Sequence, residues 1–272
     1  MVLTVRSFVG IRRFLRAQRR PLGSVHENRA PARRDYRASH QTDGYGAHYS
    51  DTFRSGYYAA LWSGIEKPLV ERTLLPVGGP NRKCLDFACG TGRIANIAAQ
   101  FFGEVVGVDI SQSMLASARV PKNVKLVRAD ITLSPLAERF DVVTAFRFFL
   151  NAEDELRKDA LSAISAHLNE GGLLISNIHM NATSPIGLVC RILNRYAGGT
   201  VRHTLSIKGY EQTLIANGFI VERIVGYGFL PRPGKLLPRL CEILIVPFER
   251  ICASARIPAE LAQNFLVVAR KR

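Results

Sequence analysis

Three aspartates, Asp86, Asp109 and Asp130, each stand at or near the end of a run rich in apolar residues in the first half of the chain. Between the first two lies Gly90-Thr-Gly92, and residues without a Cβ let the backbone approach a ligand closely. An apolar run that ends in a carboxylate and breaks into glycine reads as a strand, a ligand-binding turn and a helix start. Three such strand ends side by side form the edge at which open α/β sheets bind ligands. Charge indicates which ligand. An acid four residues before the first glycine attracts a cation and repels a pyrophosphate. The rival is a nicotinamide dinucleotide, because Gly90-Thr-Gly-Arg-Ile-Ala95 also fits that turn, with Asp109 as its ribose-binding acid. A carboxylate at 109 offers acceptors for two vicinal hydroxyls. A fifth apolar run ends Asn177-Ile-His179, and imidazole has the ordinary pKa nearest neutrality, so His179 is the candidate general base. A histidine at a strand end is also a common structural hydrogen-bonder. Tyr49, Arg147 and Asn177 are the candidates for the substrate side; Arg147 would pair with a ligand carboxylate or in a surface ion pair.

Four segments give these residues a pattern: Asp86-Phe-Ala-Cys-Gly-Thr-Gly92, Gly107-Val-Asp-Ile-Ser111 followed by Met114-Leu115, Ala129-Asp130-Ile131, and Phe140-Asp-Val-Val-Thr-Ala-Phe146. In order and spacing they resemble a class I S-adenosylmethionine-dependent methyltransferase, well over Lys83 to His179 and more loosely at the end of the chain. The resemblance implies S-adenosylmethionine as cofactor, held by Asp86, Ala88, Cys89, Gly90, Gly92, Asp109, Ile110, Asp130, Ile131 and Phe146. Within that set it implies Asp109 on the ribose, Asp130 accepting from the adenine amino group and Ile131 packing on the ring. No invariant catalytic residue comes with it. A sulfonium methyl is already a good electrophile, so alignment and exclusion of water suffice unless the acceptor is weakly acidic. The Asn/Asp-Pro-Pro-Tyr/Phe motif of amino-methylating nucleic-acid enzymes does not follow the fourth apolar run.

A chain of 272 residues buries a full core, and one domain with extensions is expected. Its five cysteines lack C-x-x-C spacing, which argues against a zinc site or a disulfide framework and for a reducing compartment. No metal is expected. The net charge of +15 sits at the ends: residues 1–40 carry +8 and residues 231–272 carry +5, leaving a nearly neutral body. The expected acceptor is therefore a small or lipid-like molecule. An RNA gripped by the basic ends is the alternative, and an inactive cofactor-binding partner subunit a third reading. Residues 1–40 read as a basic flexible tail. They resemble an organelle transit peptide, and a cytoplasmic location is expected unless they act as one. No apolar run reaches the length of a membrane span.

The elements that must position the site follow from periodicity. Residues 41–272 form the expected methyltransferase domain, a doubly wound, Rossmann-like α/β sheet of seven strands, six parallel and the last antiparallel. Residues 41–80 form an aromatic cover, with Tyr45, Tyr49, Phe53 and Tyr57 four apart. Helices are expected over 93–102, 152–168 and 208–218, with Glu170-Gly-Gly172 as a helix stop. Two inserts, 182–206 and 230–262, lie on the substrate side. The second is basic and amphipathic, suited to docking on its own domain or to peripheral membrane contact, and Pro238 and Pro247 should cut it into pieces.

Overall fold

The computed structural model describes residues 36–39, 54–197, 200, 202–231 and 238–272. A seven-stranded sheet runs through the domain in the order β3-β2-β1-β4-β5-β7-β6. Its strands are β1 (Gly79–Phe87), β2 (Phe102–Asp109), β3 (Val124–Arg128), β4 (Phe140–Ala145), β5 (Leu168–Ile178), β6 (Phe219–Tyr227) and β7 (Asn264–Lys271). Only β7 runs against its neighbours β5 and β6, so the expected architecture of six parallel strands and one reversed strand holds. The buried stretches of the central strands, such as Cys84-Leu85, Val105-Val106 and Val142-Val143, are apolar at successive positions because both faces are covered. One face packs on α6 (Asp154–His167) and α8 (Ile207–Ala216); the other packs on α2 (Gly56–Leu61), α3 (Lys67–Leu74) and α4 (Arg93–Ala98). Chain order reverses between β1 and β4, which opens a crevice at their carboxyl ends.

Three local outcomes differ from the periodicity. Glu170-Gly-Gly172 lies inside β5, which starts at Leu168. The pairing of β4 with β5 slips between Phe140 and Val142, and Gly171 takes a φ of 68°, so an irregularity absorbs the glycines. Between α2 and α3 a π-helical turn, Trp62–Glu66, interrupts the 3.6-residue period and brings Glu66 to the buried side. The insert 230–262 holds one helix, α9 (Pro238–Ser254), unbroken by Pro247. Pro238 is its first residue, where a missing N–H costs nothing. Pro247 is exposed, so water can reach the carbonyl it leaves unbonded one turn earlier.

Two further elements flank the crevice. Helix α1 (Tyr36–Ser39) comes from the segment read as a tail, and α7 (Pro185–Tyr196) fills the insert after β5. Ser184 caps α7 by accepting from the Gly187 N–H at 3.1 Å. The Asn181 side chain donates to the Glu260 and Ala262 carbonyls at 2.9 and 3.0 Å, tying the approach to α7 to the chain that follows α9. Helix α9 rests on the π-helical turn, where a Cβ at Gly64 would come within 2.4 Å of Val246. Glu249 pins α9 to the end of β6 by accepting from the Gly228 and Phe229 N–H groups.

Candidate active site

Asp86 lies at the middle of the sheet, between Gly107 of β2 and Thr144 of β4. It is 1% exposed and accepts from Thr144 Oγ1 at 2.7 Å and from the Ala95 N–H at 2.9 Å. Burial pushes its pKa up to about 7; the Thr144 and Ala95 hydrogen bonds and Arg93 pull against this, while Asp109 adds to it. A buried carboxyl held this far above its ordinary value is a place where an arriving cation is welcome.

The turn after β1 needs left-handed backbone at three residues: Ala88 (φ 54°), Gly90 (56°) and Gly92 (79°). At Gly90 a Cβ would also meet Met114 Cε at 2.9 Å. Asp109, at the carboxyl end of β2, accepts from the Gly90 N–H with Oδ2 and from the Ser111 N–H with Oδ1, both at 2.8 Å. These bonds hold the turn. They also engage the N–H that a phosphate-binding turn would offer to a dinucleotide. Cys89 and Cys84 are buried thiols whose pKa burial pushes well above the ordinary range, so neither is a nucleophile.

A cavity of about 220 Å³ opens over this turn, and Asp86, Ala88, Cys89, Gly90, Asp109, Ile110, Asp130, Ile131, Phe146, Arg147 and His179 all contribute to its wall. Gly92 shapes the turn without lining the cavity. Tyr49 lies outside the described residues. Asp130 accepts from Thr132 Oγ1 at 2.6 Å and from Arg37 Nε at 2.8 Å. Burial works against its charge, yet Thr132 and Arg37 hold the carboxyl below its usual range. Tyr36 packs edge-on against Phe148 at 5.4 Å, so helix α1 forms part of the wall.

Sequence reasoning missed Tyr36, Arg37, Trp62, Glu66 and Arg93, all of which line the cavity. Glu66, 1% exposed, accepts from Tyr227 Oη at 2.7 Å, Asn177 Nδ2 at 2.9 Å and an Arg147 guanidinium nitrogen at 3.0 Å. Burial opposes its charge, but Arg147, Arg93 and the Tyr227 hydroxyl hold its pKa below the ordinary value. Arg93 stacks over the Trp62 ring at 4.7 Å. The signal for Glu66 was weak: it is the lone acid of Trp62–Val70, but Lys67 follows it directly and makes it read as a solvated pair. Asn177 is fully buried behind this wall: its Oδ1 accepts from the Arg147 N–H at 2.7 Å and its amide donates to Glu66 and Tyr227. It positions Arg147, whose φ of 60° is itself left-handed, and does not line the substrate side.

His179 stands where this cavity meets a second one of about 270 Å³; Arg147, Asn151 and His179 line both. Burial lowers its pKa to about 3, with Arg147 and Arg202 adding to the effect. The ring is neutral at physiological pH in the free protein and is a weak base there. Among the described residues no group of three His, Cys, Asp or Glu side chains suits a metal ion.

The residues present fit S-adenosylmethionine. A buried acid stands where a cation would lie, a strand-end carboxylate of the kind that accepts from ribose hydroxyls lines the same cavity, and apolar Ile110, Ile131 and Phe146 share the wall. Comparison with known proteins agrees. Residues 84–172 match the family model described as a methyltransferase domain. A protein of Geobacillus sp. (strain WCH70), named as a candidate methyltransferase, is 35% identical over 106 residues, 36% of this chain and 42% of that protein. This chain thus spans under half the length of that relative. The ubiquinone biosynthesis O-methyltransferase of Idiomarina loihiensis is 28% identical over 165 residues, 57% of this chain and 67% of that enzyme. The crystal structure of magnesium protoporphyrin IX methyltransferase from Synechocystis PCC 6803, with bound S-adenosylhomocysteine, superposes with a TM-score of 0.59 at 15% identity, covering 87% of this chain and 97% of that one. The architecture is that of the class I S-adenosylmethionine-dependent methyltransferases. Within it, residues 84–172, which match the methyltransferase-domain model, run from β1 into β5.

Proposed function

We propose that this protein transfers the methyl group of S-adenosylmethionine to an oxygen, nitrogen or carbon nucleophile of a small or lipid-like acceptor. The observation that carries the reading is the meeting of two cavities at Arg147, Asn151 and His179, one walled by Asp86 and Asp109 and the other by no acid among its described lining. The cofactor supplies an electrophilic methyl group. Asp86 faces the cationic end, Asp109 would accept the two ribose hydroxyls, and Asp130, once Arg37 yields or shares it, would accept from the adenine amino group. The chain's own part in the chemistry is to align the acceptor in line with the methyl and to exclude water. His179, neutral in the free protein, could accept a hydrogen bond from an acceptor hydroxyl and take its proton as that oxygen bonds to the methyl carbon and the carbon–sulfur electron pair stays with sulfur.

An O-methyltransferase among the relatives supports an oxygen nucleophile. A lipid-like acceptor is supported by the rim of the site. Leu188, Ile192 and Tyr196 of α7 and Ile243 and Ile251 of α9 are exposed, with Arg191, Arg195, Arg239 and Arg250 among them, a composition suited to an anionic membrane surface. No described helix is long and apolar enough to cross a membrane. The free thiols of Cys84, Cys89, Cys190 and Cys252 fit a reducing compartment such as the cytoplasm.

Calorimetry tests the reading. S-adenosylmethionine and S-adenosylhomocysteine should bind and nicotinamide dinucleotides should not, and Asp109→Ala should weaken cofactor binding by roughly tenfold or more, the loss of charge-assisted hydrogen bonds. Binding of a dinucleotide in place of both would overturn it.

A further inference from the structure

The second cavity holds features that the cofactor does not explain. Its described wall contains two arginines, Arg147 and Arg202, two histidines, His179 and His203, and no aspartate or glutamate. Glu66 offsets Arg147 from behind. No carboxylate of the described residues pairs with Arg202, whose backbone is held in place by Asn194: the Asn194 amide donates to the Arg202 carbonyl at 2.8 Å and its oxygen accepts from the Arg202 N–H at 3.2 Å. The described wall therefore carries the positive charge of Arg202 at an exposed mouth, beside the partly offset charge of Arg147, an arrangement that attracts an anion.

Two buried polar atoms without a hydrogen-bond partner also belong to residues of this wall, His179 Nδ1 and Gln263 Oε1. Gln263 is 8% exposed, and its backbone N–H donates to the Gly228 carbonyl at 3.3 Å, so the residue is fixed while its side-chain oxygen is left over. Buried polar atoms are seldom orphaned in folded proteins without reason, since each costs about 1–3 kcal/mol when unpaired. A ligand carrying a hydrogen-bond donor would satisfy Gln263, and His179 stands beside the cofactor cavity. Tyr58, Leu61, Leu150 and Met180 complete the wall with apolar surface.

We propose that this cavity is the acceptor subsite and that its ligand is a hydroxy-substituted anion with a compact apolar body, its carboxylate or phosphate held by Arg202 and Arg147. The hydroxyl would then lie toward His179 and the methyl donor. The inference deepens the methyltransferase reading and rests on it. It also bears on His179: burial is the main cause of its lowered pKa, and an anion between the two arginines would offset the smaller part that Arg147 and Arg202 contribute, moving the ring toward greater basicity.

The test uses the full chain saturated with S-adenosylhomocysteine and titrated with 4-hydroxybenzoate, 4-hydroxyphenyl phosphate and the neutral methyl ester of 4-hydroxybenzoate. At least one anion should bind roughly tenfold or more tightly than the ester, the scale of one charge-assisted contact. Whichever anion is preferred identifies carboxylate or phosphate as the group recognised. Arg202→Ala should abolish that preference while leaving the S-adenosylhomocysteine affinity within about twofold, as expected of an exposed residue outside the cofactor cavity. His203→Ala provides a second exposed variant and should weaken the anion in the same direction. Equal binding of ester and anions, or an anion preference untouched by Arg202→Ala, overturns the subsite. If S-adenosylhomocysteine itself fails to bind, the methyltransferase reading falls, which a separate titration shows before any anion is added.

Discussion

With its pKa near 7, Asp86 is about half protonated at neutrality, and a cation arriving beside it draws the proton off. Cofactor binding near pH 7 should therefore release a proton, detected as a dependence of calorimetric heat on buffer ionisation enthalpy, and affinity should fall as pH drops below 7. The same shift has a signed effect on folding. The folded pKa lies above the ordinary 3.8, so the stability Asp86 contributes is full below that value and is lost as pH rises through about 7. Asp86→Asn should flatten the melting temperature between pH 4 and 7 relative to wild type, and an unchanged slope would refute the assignment. Ala88, held at φ 54°, offers another single-residue test. Glycine there should stabilise the fold by about 1 kcal/mol in chemical denaturation, because a Cβ penalty of that size in left-handed backbone disappears. Asp86, Asp109 and Asp130 were legible in the sequence because each follows its own strand within a short motif. Arg37 was not, because nothing local to residue 37 announces a partner 93 positions away.

Elements explain why the wall behind the acids was harder to read. Glu66 owes its position to a π-helical turn, which shifts the helical period that a search at 3.6 residues assumes. Its partners Arg147, Asn177 and Tyr227 come from the ends of β4, β5 and β6, so only the assembled sheet creates the network. Removing the buried carboxylate by Glu66→Ala should cost about 3 kcal/mol or more, since Arg147 would keep a charge without its counter-ion. Urea denaturation measures it, and a loss below 1 kcal/mol would mean that the network does little for the fold. Strands β1, β2 and β4 were readable because both their faces are covered and each carries a short buried apolar stretch, Cys84-Leu85, Val105-Val106 and Val142-Val143. Helix α9 was misjudged at Pro247, where exposure decided the outcome: hydration can offset a lost bond on an open face and could not in a core.

At the scale of the molecule, both cavities lie toward the carboxyl edge of the sheet, and α7 and α9 follow β5 and β6 from that edge carrying the exposed apolar and basic side chains of the proposed membrane contact. Vesicles containing phosphatidylglycerol should therefore co-sediment with the protein and those of phosphatidylcholine alone should not, with binding that weakens as salt is raised. Replacing Ile192 and Ile243 by serine should reduce that binding several-fold without shifting the melting temperature by more than a degree or two, because both side chains are exposed. Vesicle binding that ignores lipid charge would remove the electrostatic half of the argument. The bond from Tyr227 back to Glu66 crosses 161 positions of chain and has a practical reach beyond activity. A gene divided between α7 and α8 would yield two pieces, one with the acid, Arg147 and Asn177 and the other with the phenol that completes their network. Neither piece could bury its own half, so the two should regain structure only on meeting, and that dependence would make them a fragment-complementation pair.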